Sequence, residues 1–183
     1  MSHSIDIYMS EVPESTTVAP TDPIQTGPWT LYFHQADSER WTIDTFVKIQ
    51  TCSTWEDVTT LLNEIDVNTF KSGLPFFMRG DTLPLWENHQ NIRGGSYSMK
   101  VPSDSVKEVF SMQLIQAMLG HAFIEKGNTC MGISMSPKKG TFNILKIWNS
   151  NADAYNLSNG LAFVDSRCND SEVIYTPHIQ KRM

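Results

Sequence analysis

The sequence has few cysteines, no run of apolar residues long enough to span a bilayer, and no excess of positive charge. Its three cysteines, Cys52, Cys130 and Cys168, are far apart and odd in number, and no CxxC pair or Cys/His ligand spacing occurs. A structural zinc site is therefore not expected. The N-terminus also lacks the charged, apolar and small-residue pattern of a secretion signal. We expect a soluble, cytoplasmic protein in a reducing compartment.

The net charge of the 183-residue chain is -6, which argues against a general nucleic-acid coat. Any contact with RNA should then be local and chemically specific. The sequence shows no acidic metal-binding run and no nucleophile with a paired base, so we expect neither an enzyme nor a bound metal or cofactor.

The chain divides into a tail and one domain. Residues 1–27 are rich in Pro, Ser and Thr and have almost no apolar pattern, which predicts a disordered N-terminal tail. Residues 28–183 are long enough for a single domain with its own core.

Short alternating or apolar segments rich in β-branched and aromatic residues predict strands. These segments are 29–33, 41–49, 74–78, 96–101, 130–136, 141–148 and 172–176. The segments at 130–136 and 141–148 flank the sequence PKKG and predict a hairpin.

Two amphipathic segments predict helices, and residues 151–164 are a third candidate. The first helix begins after Ser53, and Glu56, three residues later, completes a capping box. Pro102 and Ser105 open the second helix, Glu108 completes another capping box, and the apolar positions continue to Phe123. Amphipathic helices of this kind cover one face of a mostly antiparallel, curved sheet and leave the other face open for a ligand.

Five tryptophans are a high number for this length. Taken alone, each is more typical of a core, and Trp29 and Trp55 are assigned to the core or to a helix face. The other three lie near predicted loops: Trp41, Trp86 and Trp148. Their joint placement favours a ligand-binding surface.

Charged residues accompany these three rings. Glu87 directly follows Trp86, and three lysines lie close to the hairpin: Lys138, Lys139 and Lys146. Aromatic planes can stack on a base, and a cationic base strengthens the stacking. A carboxylate accepts two parallel bonds from a guanine edge, while lysines neutralise phosphates. The combination describes the 7-methylguanosine triphosphate cap of mRNA.

The sequence at this point resembles the eukaryotic translation initiation factor 4E family. The collinear matches are PWTLYF, ERWTIDTFVKI, TWEDVTTLLNEI, PLWENHQNIRGGSY and ILKIW, and the resemblance extends from Asp22 to the C-terminus. It implies an α+β fold, with a curved antiparallel sheet of about eight strands backed on its convex face by three helices. It also implies cap binding on the concave face.

The resemblance assigns roles to the site residues. Trp41 and Trp86 match the rings that sandwich methylguanine, Glu87 matches the guanine-edge carboxylate, and Trp148 matches the ring that touches the methyl group. Basic contacts to phosphate are implied by the following matches: Lys138 or Lys139, and Arg93, which alternatively holds its loop.

The sequence departs from the family pattern at several phosphate contacts. Ser96 stands where an Arg is usual, and Ile144 stands where a Lys is usual. Lys146, on the same strand face, is a substitute candidate. We therefore expect phosphate binding that is weaker or differently placed. The residues that recognise the base, in contrast, are all present.

The convex face of the family binds a helical peptide of the scaffold factor 4G or of repressors. Thr59 here stands where the family has an anchoring Trp. The other partner-site matches are Pro23, Trp55, Met112, Gln113, Gln116 and Gly120. Because loss of an aromatic anchor removes a hot spot, the scaffold peptide is expected to bind weakly, or a non-standard partner has co-adapted. No membrane contact is expected, and the protein alone should be a monomer.

The resemblance predicts a protein that links capped mRNA to translation initiation by binding. Three alternatives stay open: a cap-binding repressor or specialised paralogue, a cap-cleaving enzyme, and a generic carbohydrate or single-strand RNA binder.

Overall fold

The computed structural model describes residues 17–125, 127–138, 141–154 and 160–179. The strands are β1 (Trp29–Gln35), β2 (Phe46–Cys52), β3 (Gly73–Arg79), β4 (Gly95–Pro102), β5 (Cys130–Pro137), β6 (Phe142–Asn149) and β7 (Ile174–Pro177). The helices are α1 (Trp55–Glu64), α2 (Thr69–Ser72) and α3 (Val106–Met118).

All seven strands join one curved antiparallel sheet in the order β2-β1-β3-β5-β6-β4-β7. The predicted α+β class with three helices is thus confirmed. The described residues contain seven strands, where about eight are predicted. The strand order is far from the chain order, so distant segments of the sequence meet on each face.

The alternation of side chains along the strands separates an apolar helix side from an open concave side. On β4 and β6, Tyr97 pairs with Ile147 and Met99 with Leu145, and all four side chains are buried beneath the helices. The residues between them point to the opposite face. A smaller apolar cluster covers part of that concave face: Tyr32, Phe46, Phe76, Met78 and Trp148.

Helix α1 forms where the sequence predicts it, but its cap lies one residue later. The side chain of Thr54 accepts a hydrogen bond from the Asp57 N–H, and the Asp57 carboxylate accepts one from the Thr54 N–H. The predicted pair, Ser53 and Glu56, is therefore wrong. The backbone N–H groups of Ser53 and Thr54 lower the pKa of Asp57. The buried side chains of α1 form one apolar stripe, as expected for an amphipathic helix: Trp55, Val58, Leu61 and Leu62.

Helix α3 is shorter than its apolar pattern suggests. Ser105 precedes it without a side-chain capping bond, so the second predicted capping box is wrong. The helix ends at Met118, because Gly120 adopts a φ of 85° and the His121 N–H bonds back to the Gln116 carbonyl. Phe123 therefore lies outside the helix and pairs with Leu161.

The prediction of a helix over residues 151–164 is wrong for the part of this segment that the structure describes. Ala152–Ala154 form a single 3₁₀ turn, and residues 155–159 lie outside the described residues. Leu161 instead forms an isolated bridge with Phe123, flanked by hydrogen bonds from the Ile124 N–H to the Gly160 carbonyl and from the Ala162 N–H to the Ala122 carbonyl. The third helix of the fold is instead the short α2.

The strand predicted over residues 41–49 begins only at Phe46. Ile43–Thr45 form a 3₁₀ turn, so Trp41 lies in a loop and is not held by a strand ladder.

The N-terminal part of the chain packs on the domain before residue 28. Residues 1–16 lie outside the described residues. Pro23 forms an isolated bridge with Thr54, Ile24 is 3% exposed, and Val18 packs against the core. Residues 18–27 are thus part of the folded unit, although their composition predicts a tail.

None of the described helices has the length and apolarity needed to cross a bilayer.

Thr54→Ala should destabilise the fold by about 1 kcal/mol, because the first turn of α1 loses its side-chain cap. Urea unfolding measures this change. Thr60→Ala is the matched control: it makes the same change at an exposed position of the same helix, where Ala has the higher helix propensity. Equal destabilisation by both substitutions would contradict the assigned cap.

Candidate functional site

A cavity of about 600 Å³ opens on the concave face of the sheet. It exists because small hydroxyl side chains alternate with large ones across the strands. Ser96 on β4 lies beside Trp148 on β6, and Ser134 on β5 lies beside Lys146. The cavity is lined by six of the predicted site residues: Trp41, Trp86, Glu87, Lys138, Lys146 and Trp148.

Trp86 and Glu87 lie in the loop between β3 and β4, which Asn91 holds together. Asn91 is fully buried, and its side-chain NH₂ donates to the carbonyls of Leu83 (2.9 Å) and Leu85 (2.8 Å). Trp86 is 47% exposed, an unfavourable exposure for so large a ring. The loop therefore presents Trp86 to the cavity from a compact backbone.

The double glycine after Arg93 lets this loop join the sheet. A Cβ atom on Gly94 would collide with the carbonyl of Asn149 at the end of β6. The Gly95 N–H donates to the Asn149 side chain at 2.8 Å. Only glycine allows the backbone to pass this close, which ties the loop to the strand that carries Trp148.

Trp148 is fixed more firmly than the other two rings. It is 7% exposed, and its indole N–H donates to the Ser134 hydroxyl at 3.0 Å. Phe76 and His178 meet it edge-on, with ring centroids at 6.0 Å and 5.0 Å. Trp148 is thus a rigid part of the cavity wall.

Trp41 reaches the cavity from the loop after β1. Its ring is 49% exposed and stacks on His34, with centroids 4.3 Å apart. Two half-exposed indoles, Trp41 and Trp86, therefore belong to different loops and line the same cavity.

Lys138 and Lys146 bring positive charge to one part of the cavity lining. Partial desolvation and, second, the charge of Lys138 lower the pKa of Lys146. Two like charges that disfavour each other are relieved by a bound anion. Lys139 lies outside the described residues.

The structure does not bring Arg93 to this cavity. Its side chain is exposed and lines a separate cavity of about 590 Å³ with Ser150, Asn151 and Asp153. Its carbonyl accepts a hydrogen bond from the Ala152 N–H at 2.9 Å. This loop contact is made by the backbone of Arg93, and its side chain lines a different cavity from that of Lys138 and Lys146.

Sequence reasoning missed His178, which lines the cavity beside Trp148. Its Nδ1 lies 2.7 Å from the Asn91 carbonyl and donates to it, since a carbonyl only accepts. The missing signal is strand order: β7 pairs with β4, and Thr176 lies opposite Ser96. Nothing in the sequence alone predicts that pairing.

The residues proposed for the partner site have very different exposures. Met112 is 41% exposed, and Pro23, Thr59 and Gly120 are exposed, while Gln116 is half-buried. Gln113 is fully buried and donates to the Phe163 carbonyl, so its assignment to the partner surface is wrong. Trp55 is 8% exposed, and its indole N–H donates to Gln25.

Within the described ranges, no cluster of three or more His, Cys, Asp or Glu side chains is arranged to hold a metal ion.

The sheet, the helices on one of its faces and the aromatic cavity on the other define an α+β domain with an open site. The model of the eukaryotic initiation factor 4E family matches residues 24–168. Because this match covers well over half of the chain, the protein belongs to the eukaryotic initiation factor 4E family.

One relative is the eukaryotic translation initiation factor 4E of Dictyostelium discoideum, 24% identical over 164 residues. The alignment covers 85% of this chain but spans only 64% of the length of that relative.

Two solved structures share the fold. One is Ascaris suum eIF4E-3 in complex with an m2,2,7G cap, with a TM-score of 0.59 and 20% identity. The other is C. elegans eIF4E-3 with the 4E-binding protein Mextli and a cap analog, with a TM-score of 0.60 and 21% identity. Each comparison covers 72% of this chain and 75% of the other chain.

Acidification should destabilise the fold through His178. Burial lowers the pKa of His178, and the charge of Lys146 lowers it further, against the opposing effects of the Asn91 carbonyl and of Glu87. The unfolded chain therefore takes up this proton at a higher pH than the folded chain. Stability is complete above the ordinary histidine pKa and is lost as the pH falls through the folded value.

Urea unfolding at about pH 7.5 and about pH 5 tests this expectation. His178→Phe keeps a ring against Trp148 but cannot titrate, so it should lose less stability on acidification than the wild type. His89→Asn, at an exposed histidine, should behave like the wild type. An equal acid-induced loss in His178→Phe and the wild type would contradict the assignment.

Proposed function

We propose that this protein binds the 7-methylguanosine cap of mRNA in the concave cavity and takes part in translation initiation. The observation that carries the proposal is the joint lining of one cavity by two half-exposed indoles, a carboxylate and two lysines. Their chemistry matches the base, the guanine edge and the phosphates of a cap.

Trp41 and Trp86 stack on the two faces of the methylated base. N7 methylation gives the guanine a positive charge, and a desolvated cation–π contact contributes about 2 kcal/mol. Unmethylated guanine lacks this charge and should bind much less well. Trp148 contacts the methyl group from the cavity wall.

Glu87 reads the guanine edge by accepting two parallel hydrogen bonds, from N1–H and from the 2-amino group. Charge-assisted, bidentate bonds are stronger than neutral ones and select for geometry. Because Glu87 directly follows Trp86, one ordered loop supplies both stacking and edge recognition.

Lys138 and Lys146 hold the phosphates. Ser96 and Ile144 leave uncharged the two positions where the family usually has basic residues. The net charge of -6 disfavours binding of RNA phosphates to the rest of the surface. Phosphate binding is therefore local and is provided by Lys138 and Lys146, with Lys139 as a further candidate.

The relatives support this assignment. The Ascaris suum and C. elegans proteins with the same fold were solved with an m2,2,7G cap and with a cap analog. The C. elegans protein also holds the 4E-binding protein Mextli. By analogy, the convex face here binds a scaffold like factor 4G, or a repressor, and the protein acts in the cytoplasm as a binding protein and not as an enzyme.

A cap-binding repressor or specialised paralogue is the second candidate. Thr59 is exposed where the family has its anchoring Trp, Gln113 is buried, and Trp55 is almost covered. The partner surface therefore lacks an exposed indole at these positions. This surface fits a partner that binds through different anchoring residues, or a protein that recruits no scaffold.

Glu87→Gln should weaken binding of a methylated cap analogue at least about tenfold, because the neutral amide cannot accept both bonds. Trp86→Ala should abolish the binding. Tryptophan fluorescence during titration with methylated and unmethylated analogues measures the affinity. Glu64→Gln, an identical change at an exposed helix position, is the control and should bind like the wild type.

If Glu87→Gln and Trp86→Ala both titrate like the wild type, the cap site lies elsewhere. Competition by sugar or by uncapped RNA as effective as that by methylated cap analogue would instead favour a generic binder. Release of nucleotide from capped RNA with Mg²⁺ would indicate an enzyme.

Met112→Glu should weaken binding of a helical factor 4G peptide at least about fivefold, because a charge replaces an exposed apolar contact. Calorimetry with the cap analogue present measures this, and cap affinity should not change. Val47→Glu, at an apolar residue of β2 that is 59% exposed, is the control.

Peptide binding that Met112→Glu leaves intact would contradict a partner site at this position. If the wild type itself does not bind the peptide, the repressor or specialised role is favoured.

A further inference from the structure

The half-exposed ring of Trp41 lies flat on a fully buried histidine. The planes of Trp41 and His34 are 7° apart, and their centroids are 4.3 Å apart. His34 is 0% exposed, whereas Trp41 is 49% exposed and lines the cavity. The imidazole therefore covers one face of the indole and leaves surface of the same ring open towards a ligand.

His34 also fixes the backbone directly before Trp41. Its Nε2 lies 2.8 Å from the Arg40 carbonyl. Because a carbonyl only accepts, Nε2 must carry the hydrogen and donate it. Among the described residues, Nδ1 of His34 has no hydrogen-bond partner. One side chain thus contacts both the ring of Trp41 and the peptide group that leads into it.

His34 connects this loop residue to the rigid part of the sheet. Its ring lies 4.6 Å from that of Phe46, which meets Phe76 edge-on at 5.4 Å. Phe76 in turn contacts Trp148. A continuous series of ring contacts therefore runs from Trp41 to Trp148, and both of these rings line the same cavity.

We propose that His34 is a positioning residue for base recognition, whose ring sets the plane of Trp41 and so the gap between Trp41 and Trp86. The inference rests on the proposed cap-binding function. Trp41 belongs to no strand or helix. Of its ring contacts, Phe46 is tilted by 58° with its centroid 6.1 Å away, whereas His34 lies parallel at 4.3 Å, so the imidazole is the contact that sets the plane of the indole. Without that ring the indole has to be ordered during binding, which lowers affinity.

The test separates the ring of His34 from its hydrogen bond. His34→Phe keeps a flat ring but cannot donate, whereas His34→Gln can donate but has no ring. Affinity for methylated cap analogue should stay within about twofold of the wild type in His34→Phe and fall about fivefold to tenfold in His34→Gln. His121→Ala, at an exposed histidine after α3, is the control and should bind like the wild type.

A double-mutant cycle shows whether His34 acts through Trp41. His34→Gln should lower affinity in the wild-type background and have almost no further effect in a Trp41→Ala background, measured by calorimetry at high ligand concentration. Thermal unfolding of each variant verifies that it is folded at the assay temperature. A general structural role would lower affinity by the same factor in both backgrounds.

The outcomes separate this inference from the function on which it rests. A wild type that does not bind methylated cap analogue contradicts the proposed function. A wild type that binds, with equal affinities for His34→Phe and His34→Gln or with equal losses in both backgrounds, overturns only the role of His34.

Discussion

The register of the antiparallel sheet is the constraint on which the site depends. Because side chains alternate between the two faces, the pairing of Ser96 with Trp148 puts both on the concave side and leaves Tyr97 and Ile147 for the core. A slip of one residue would exchange the two sets. The apolar helix side therefore fixes the register, and the register builds the cavity.

Aromatic contacts connect the rigid sheet to the loops that present the exposed indoles. Phe76 and Trp148 belong to strands, whereas Trp41 belongs to a loop and reaches them through His34 and Phe46. On the other side, buried Asn91 holds the loop of Trp86 and accepts the bond from His178. Both exposed indoles are thus supported by buried polar side chains, which limits the entropy lost when a ligand binds.

The parts that are local in sequence could be predicted. The amphipathic stripe of α1 is one example, and the adjacent Trp86 and Glu87 are another, because neighbours in one loop stay neighbours in the fold. His178 could not be predicted, since its place follows from the non-local pairing of β7 with β4. The stack of His34 on Trp41 joins neighbouring segments, but no sequence pattern reveals that the loop after β1 folds back onto that strand. Gln113 failed for a related reason: its position on α3 does not reveal that the Phe163 carbonyl lies over it. The helix prediction over residues 151–164 is wrong at its described C-terminal end, because backbone bonds of Gly160 and Ala162 to residues 122–124 override helical propensity there.

The composition of the cavity also decides which part of a cap supplies the proposed selectivity. Exposed lysine–phosphate contacts are screened by salt and contribute little each, and only Lys138 and Lys146 line the described cavity. Stacking between two indoles is screened much less and responds directly to the charge of the base. With Ser96 and Ile144 uncharged, the balance shifts further from phosphate towards the ring pair. In the proposed complex, the geometry of Trp41 and Trp86, and hence of the side chains that hold them, then determines how well a methylated base is distinguished from an unmethylated one.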